Sequence, residues 1–183
     1  METRRNGDAE TRGPGGAEPY STRHGLDNVL PFGTGASMKY THRFRVKASL
    51  PAVAEFHSRS ASMPAITPPP MIVRVHAAPE RMTSGDQMDF TLWAGPIPVR
   101  WIARIEDASA AGFTDRQIRG PFAAWAHRHT YERVDDRTTD VVDEVEARLK
   151  RHPFWGLAGA LMWIGMPMLF AYRARQTKRL LAK

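Results

Sequence analysis

The sequence predicts an α+β domain in which a curved antiparallel sheet of about seven strands surrounds a long C-terminal helix. Three observations support this fold class. Residues 71–149 contain short stretches of alternating residue character, separated by turns of glycine, proline and aspartate, which is typical of an antiparallel sheet. One more alternating stretch and two short helical segments precede them. A long, largely apolar segment at 153–181 follows them and predicts a single helix.

Residues 1–37 differ from the rest of the chain. They hold seven glycines and three prolines, few large apolar residues and no periodicity, so we expect them to be disordered. Met38 follows directly, and one interpretation is that it is the natural start of the protein. We therefore divide the sequence into an N-terminal extension, 1–37, and a folded domain, 38–183.

A protein that begins at Met38 is expected to melt at the same temperature as the full chain. The extension carries too little apolar surface to offset the entropy lost on ordering it. Thermal unfolding of both proteins, followed by circular dichroism, checks this. A melting temperature several degrees lower in the shorter protein would show that the extension stabilises the domain.

The predicted elements follow one another closely in the folded domain. A half-buried strand at 40–48 is followed by a helix that begins at Leu50, since Pro51 is tolerated in a first turn. A second short helical segment is predicted before Pro64, and the three consecutive prolines at 68–70 exclude regular structure. Pro167 is expected to kink the final helix. The remaining strands are predicted at 71–76, 86–93, 99–106 and 138–149, and on both sides of a turn at Gly120 and Pro121.

The segment 113–131 reads FTDRQIRGPFAAWAHRHTY and predicts a β-hairpin, because glycine and proline favour a turn at its centre. Read with period two, one face alternates large aromatic side chains with groups that need hydrogen-bond partners. Such a face is typical of a pocket wall. With two residues of neighbouring strands, it gives the candidate ligand-binding residues: Trp101, Phe113, Asp115, Gln117, Trp125, His127, His129, Tyr131 and Asp143.

This hairpin, together with the sequence ITPPP at 66–70, resembles the F-x-D-x-Q-x-x-GPF-x-x-W-x-H-x-H-x-aromatic run of one subgroup of the START-like, or SRPBCC, superfamily. The resemblance covers residues 38 to about 181 and implies the helix-grip fold. It also implies that a hydrophobic molecule, such as a lipid, sterol or polyketide, binds between the sheet and the helix. Some members of the superfamily are cyclases. Residues 1–37 have no counterpart there.

The turn positions predict which polar side chains meet across the strands. Asp115 is expected opposite His127, and His129 opposite Asp143, with Cβ atoms about 5 Å apart. Three interpretations stay open: a buried hydrogen-bond network, general acid–base catalysis with these four residues as candidates, and a metal site. The H-x-H spacing allows a metal, but two histidines and an aspartate are a weak signal. We therefore assign no metal and no cofactor.

Charge and composition exclude several classes of function. The net charge is +7, and residues 173–183 supply five basic residues and no acid, which predicts a solvated helix end with at most weak, salt-sensitive contact with anionic lipid. The aromatic residues share a face with the polar pairs, so we expect no nucleic-acid partner. The absence of cysteine excludes thiolate chemistry. With no apolar N-terminal segment, these features indicate a cytoplasmic protein.

Together these patterns favour a non-catalytic protein that binds a hydrophobic small molecule or lipid in an internal cavity. One alternative is a cyclase/dehydratase-like enzyme that uses His127 or His129. Another is a membrane-associated protein docked by its C-terminal helix, since residues 153–172 carry no charge and reach the borderline length for a span. Glycines and Pro167 within that run favour packing inside the domain instead.

Overall fold

The computed structural model describes residues 37–182 of the chain. The prediction of a disordered extension therefore concerns residues that, apart from Ser37, lie outside the described ones. The strands are β1 (Met38–Val46), β2 (Ile72–Ala77), β3 (Gln87–Ala94), β4 (Ile97–Ser109), β5 (Gly112–Arg119), β6 (Ala124–Asp135) and β7 (Thr138–Arg148). The helices are α1 (Leu50–Ser58), α2 (Ser62–Ala65), α3 (Pro153–Ile164) and α4 (Met166–Leu181).

The seven strands form one antiparallel sheet in the order β1-β7-β6-β5-β4-β3-β2. This confirms the predicted fold class. Strands β2 to β7 are consecutive neighbours, whereas β1 pairs with β7, placing Phe44 opposite Val141. The two short helices carry the chain from one edge of the sheet to the other. The first and last strands thus lie side by side, and β1 and β2 form the edges.

The C-terminal segment forms two helices rather than one. They meet at Gly165 with a bend of 50°, which confirms the kink predicted from Pro167. A proline at this position has no N–H to donate to the carbonyl of Trp163, but it fits the first turn of a new helix. Helix α4 then buries Met166, Phe170, Ala174 and Thr177.

Helix α3 is less buried than we expected. We expected the C-terminal segment to pack inside the domain, but five of its apolar side chains are 51% to 74% exposed. These are Phe154, Leu157, Leu161, Ile164 and Met168. Four of these side chains lie on α3, which is apolar on every side and can turn only one side to the sheet, and Met168 lies in the first turn of α4. Among the described residues no single helix is long and apolar enough to cross a membrane, and only the bent pair α3 and α4 together has that length and apolar character.

The core lies between the concave face of the sheet and the helices, in two groups of buried side chains. The larger group contains Trp101, Phe122, Trp125, Val145 and Phe170, together with neighbouring methionines. The smaller group contains Phe44, Val46, Val53, Tyr131, Val141 and Ala174. Both groups include residues of α4, so this helix holds the two ends of the sheet face together.

Candidate functional site

A cavity of ≈ 370 Å³ lies between the sheet and the helices. Most of its wall is apolar and comes from β3, β4, the β5–β6 turn and the bend between α3 and α4. The main apolar contributors are Met88, Phe90, Trp101, Phe122, Met166 and Leu169. A polar group in such a wall is poorly solvated, so it needs a partner from the protein or from a bound molecule.

Four side chains of β5, β6 and β7 form a compact polar cluster beside this cavity. His127 lies between two carboxylates: its Nδ1 is 3.1 Å from Oδ2 of Asp115, and its Nε2 is 3.0 Å from Oδ1 of Asp143. His129 contacts the same two residues. Its Nε2 is 3.7 Å from Oδ2 of Asp115, and its Nδ1 is 2.9 Å from Oδ1 of Asp143, although off the line of a hydrogen bond. The two imidazole rings are 3.9 Å apart.

Strand register brings this cluster together. Asp115 is paired with His127 and His129 with Asp143, which confirms the cross-strand neighbours predicted from the turns. Glycine is required at position 112, where β5 passes close to β6. Its φ is +139°, and a side chain there would collide with the backbone carbonyl of His129. This close approach fixes the strand that carries His129.

The cluster changes the ionisation of its members. Burial alone would lower the pKa of His127, but the carboxylates of Asp115 and Asp143 raise that pKa to about 9. Burial alone would raise the pKa of Asp115 and of Asp143, yet the two histidines hold both pKa values below their ordinary range. At neutral pH, therefore, a protonated His127 lies between two ionised carboxylates.

His57 of α1 is a cavity residue that the sequence analysis did not assign to the site. Its ring stacks on Tyr131 at 5.5 Å and lies 5.7 Å from the ring of His129. Burial, with a smaller effect of His129, lowers its pKa to about 3, so the ring is neutral. Its Nε2 has no hydrogen-bond partner among the described residues. The available signal was its spacing of four residues from Val53, which places both on the inner side of α1.

Arg173 is a second cavity residue that the sequence analysis did not assign to the site. It was expected in a solvated basic tail, but it lines the cavity, and its guanidinium lies 5.4 Å from the ring of Phe170. Burial lowers its pKa, and its buried Nε has no hydrogen-bond partner among residues 37–182. The available signal was its position three residues after Phe170, next to the buried side of α4.

The predicted ligand-binding residues fall into two sets. The first set lines the cavity: Trp101, Phe113, Asp115, Trp125, His127 and His129. The other three lie behind the wall. Gln117 binds the backbone of Phe122, with its amide nitrogen 2.9 Å from the carbonyl oxygen, Tyr131 is buried behind His57, and Asp143 supports the two histidines.

Comparison with known proteins gives structural matches only. No protein-family model and no curated protein matches the sequence. The Zhui aromatase/cyclase from Streptomyces sp. R1128 matches with a TM-score of 0.65 at 13% identity, covering 80% of this chain and 94% of that chain. Norcoclaurine synthase from Thalictrum flavum matches with a TM-score of 0.59 at 13% identity, covering 84% and 95%.

A third match is a START superfamily protein from Mycobacterium smegmatis. Its TM-score is 0.54 at 13% identity, and the match covers 75% of this chain and 97% of that chain. Likeness at such low identity is evidence for a shared fold, since one fold carries many activities. The three matches therefore agree with the fold that the hairpin sequence implies.

Proposed function

Because the chain has the helix-grip fold of the START-like superfamily, we propose that it binds a hydrophobic small molecule or lipid in the cavity between the sheet and the C-terminal helices. The observation that carries this proposal is a cavity of ≈ 370 Å³ with a mostly apolar wall. Sites for small molecules commonly measure about 300–1,000 Å³ and combine an apolar wall with a few placed polar groups.

The polar groups of the wall suggest how such a ligand is oriented. Asp115 is the most exposed acid of the cluster, with 22% of its side chain accessible, and it offers a carboxylate oxygen to a hydroxyl or N–H. Arg173 offers a guanidinium donor in the same wall. A ligand with one polar end would therefore place that end at these residues and its apolar body against Phe90 and Trp101.

Replacing Trp125 by alanine is expected to lower the affinity for a fatty acid by about tenfold or more, since a large apolar contact is lost. Trp93→Ala provides a matched control, because Trp93 is 38% exposed and does not line the cavity. A second variant, Ala103→Leu, is expected to lower the affinity by filling space in the wall. Displacement of a fluorescent hydrophobic dye by the fatty acid measures all three.

Two results would count against this proposal. Equal losses in Trp125→Ala and Trp93→Ala would place the bound molecule elsewhere on the protein. An unchanged affinity in Ala103→Leu, in a protein with native circular dichroism, would show that the cavity is not occupied.

A second candidate function is a cyclase/dehydratase-like reaction, favoured by the histidine–carboxylate contacts in the cavity wall. General acid–base catalysis needs a side chain within hydrogen-bond reach of the substrate. His129 lines the cavity beside Asp115 and could reach a molecule bound there. The substitution His129→Ala separates the two candidates. An enzyme would lose turnover of a polyketide precursor, whereas a binding protein would show only weaker binding of it.

A further inference from the structure

We propose that Asp115, His127 and His129 form a binding site for a divalent transition-metal ion, with Asp143 holding both imidazoles from behind. The proposal rests on the geometry of these four residues and is independent of the ligand-binding function proposed above. The three ligands come from two neighbouring strands, so the rigid ladder between β5 and β6 sets their positions.

The potential ligand atoms lie close to the spacing that an ion requires. Atoms about 2.0–2.2 Å from a common ion lie roughly 2.8–3.6 Å from one another. Oδ2 of Asp115 is 3.1 Å from Nδ1 of His127 and 3.7 Å from Nε2 of His129. One ligand atom from each of the three side chains lies within 4.8 Å of the other two. Small side-chain rotations close this set around an ion, which takes the place of the proton on Nδ1 of His127, because a nitrogen that binds a metal must be deprotonated.

Asp143 orients the two histidines. Its Oδ1 lies 3.0 Å from Nε2 of His127 and 2.9 Å from Nδ1 of His129. The opposite nitrogen of each ring therefore faces Asp115. Histidines that bind metals commonly hydrogen-bond a carboxylate through their second nitrogen. His127 does so here, whereas His129 approaches the same oxygen without hydrogen-bond geometry. Asp115 is supported as well, because Nε1 of Trp125 lies 3.4 Å from its Oδ1.

His57 provides a second, independent observation. This buried residue lines the same cavity next to His129, and its Nε2 has no hydrogen-bond partner among the described residues. An unpartnered nitrogen in an apolar wall is costly. A bound ion that carries water into this space would give it a partner.

The donor set indicates the class of ion. Two imidazoles and one carboxylate suit Zn²⁺, Fe²⁺ or Co²⁺, whereas Mg²⁺ and Ca²⁺ prefer oxygen ligands and Cu⁺ prefers sulfur. All three ligand residues line the cavity, so the remaining coordination positions face it. Sites with three protein ligands commonly leave such a position to water or to a substrate.

The test uses the full chain without an affinity tag, freed of metal with EDTA. Co²⁺ is added while its visible absorption is followed, and Zn²⁺ affinity is measured against a chromophoric chelator. We expect one ion per chain and a higher melting temperature with Zn²⁺. Asp143→Asn should weaken Zn²⁺ binding about 10- to 100-fold, and Asp115→Asn should weaken it further. His76→Ala is the control, because His76 is exposed and outside the cluster.

Absence of saturable binding to the wild-type protein would overturn the proposal, as would an unchanged affinity in a folded Asp115→Asn protein. If the variants do not fold, histidine-ring NMR spectra of the wild type decide. Zn²⁺ should then shift the ring nitrogens of His127 and His129 and leave those of His76 unchanged. Shifts confined to exposed histidines would contradict the site.

Discussion

A chain that ends at Arg151 is expected not to fold. Helix α4 supplies Met166 and Phe170, which are 2% and 1% exposed, to the centre of the core. Deleting even one such side chain typically costs about 2–5 kcal/mol, and the whole domain is held by only about 5–15 kcal/mol. Without α4 the concave sheet face would also be open to water. Near-ultraviolet circular dichroism and solubility of the shortened chain measure the loss.

A matched pair of point variants tests the same contact in the full chain. Phe170→Ala should lower the free energy of unfolding by about 3–5 kcal/mol. Phe154→Ala, in the 51% exposed position on α3, should change it by about 0.5 kcal/mol or less. Urea unfolding of both proteins gives the two values. If the chain that ends at Arg151 kept native near-ultraviolet signals, α4 would not be needed for the core, contrary to this account.

Asp143→Ala is expected to destabilise the metal-free protein by about 1–3 kcal/mol, because Nε2 of the buried His127 loses its hydrogen-bond partner while its Nδ1 keeps Asp115. The side chain of Asp143 is 6% exposed and faces both histidines. Asp136→Ala is the control, since that side chain is 95% exposed and only a small effect is expected. Urea unfolding in the presence of EDTA measures both.

Equal stabilities of the Asp143→Ala and Asp136→Ala proteins would contradict this account. They would mean that the histidines find other partners once the carboxylate is gone. Stability similar to the wild type in Asp143→Ala would also remove the reason for treating the four residues as one network.

The hairpin was predictable from the sequence because local rules determine it. A turn at Gly120 and Pro121, combined with period-two alternation, fixes both the register and the face. The pairing of Asp115 with His127 follows from these rules alone. The bend between α3 and α4 was predictable for the same reason, since a proline changes hydrogen bonding at its own position.

These local rules could not predict which side chains line the cavity and which lie behind its wall. Gln117 shares the face of Asp115, but Phe122 folds back over the end of the strand and engages its amide. His57 and Arg173 reach the cavity from α1 and α4, far from the hairpin in sequence. Their places depend on how the helices pack across the sheet, which residue alternation does not encode.

The bend at Gly165 separates the two helices that cover the cavity, α3 and α4, which differ in how much of their surface is buried. Helix α4 buries four residues, whereas α3 buries only Gly159 among its twelve residues, yet α3 contributes Leu161 and Met162 to the cavity wall. Movement of α3 alone would therefore open the cavity wall, while α4 stayed packed on the concave face of the sheet. For the ligand proposed above, release would then depend on movement of α3, whereas contacts with the sheet and α4 would supply most of the affinity.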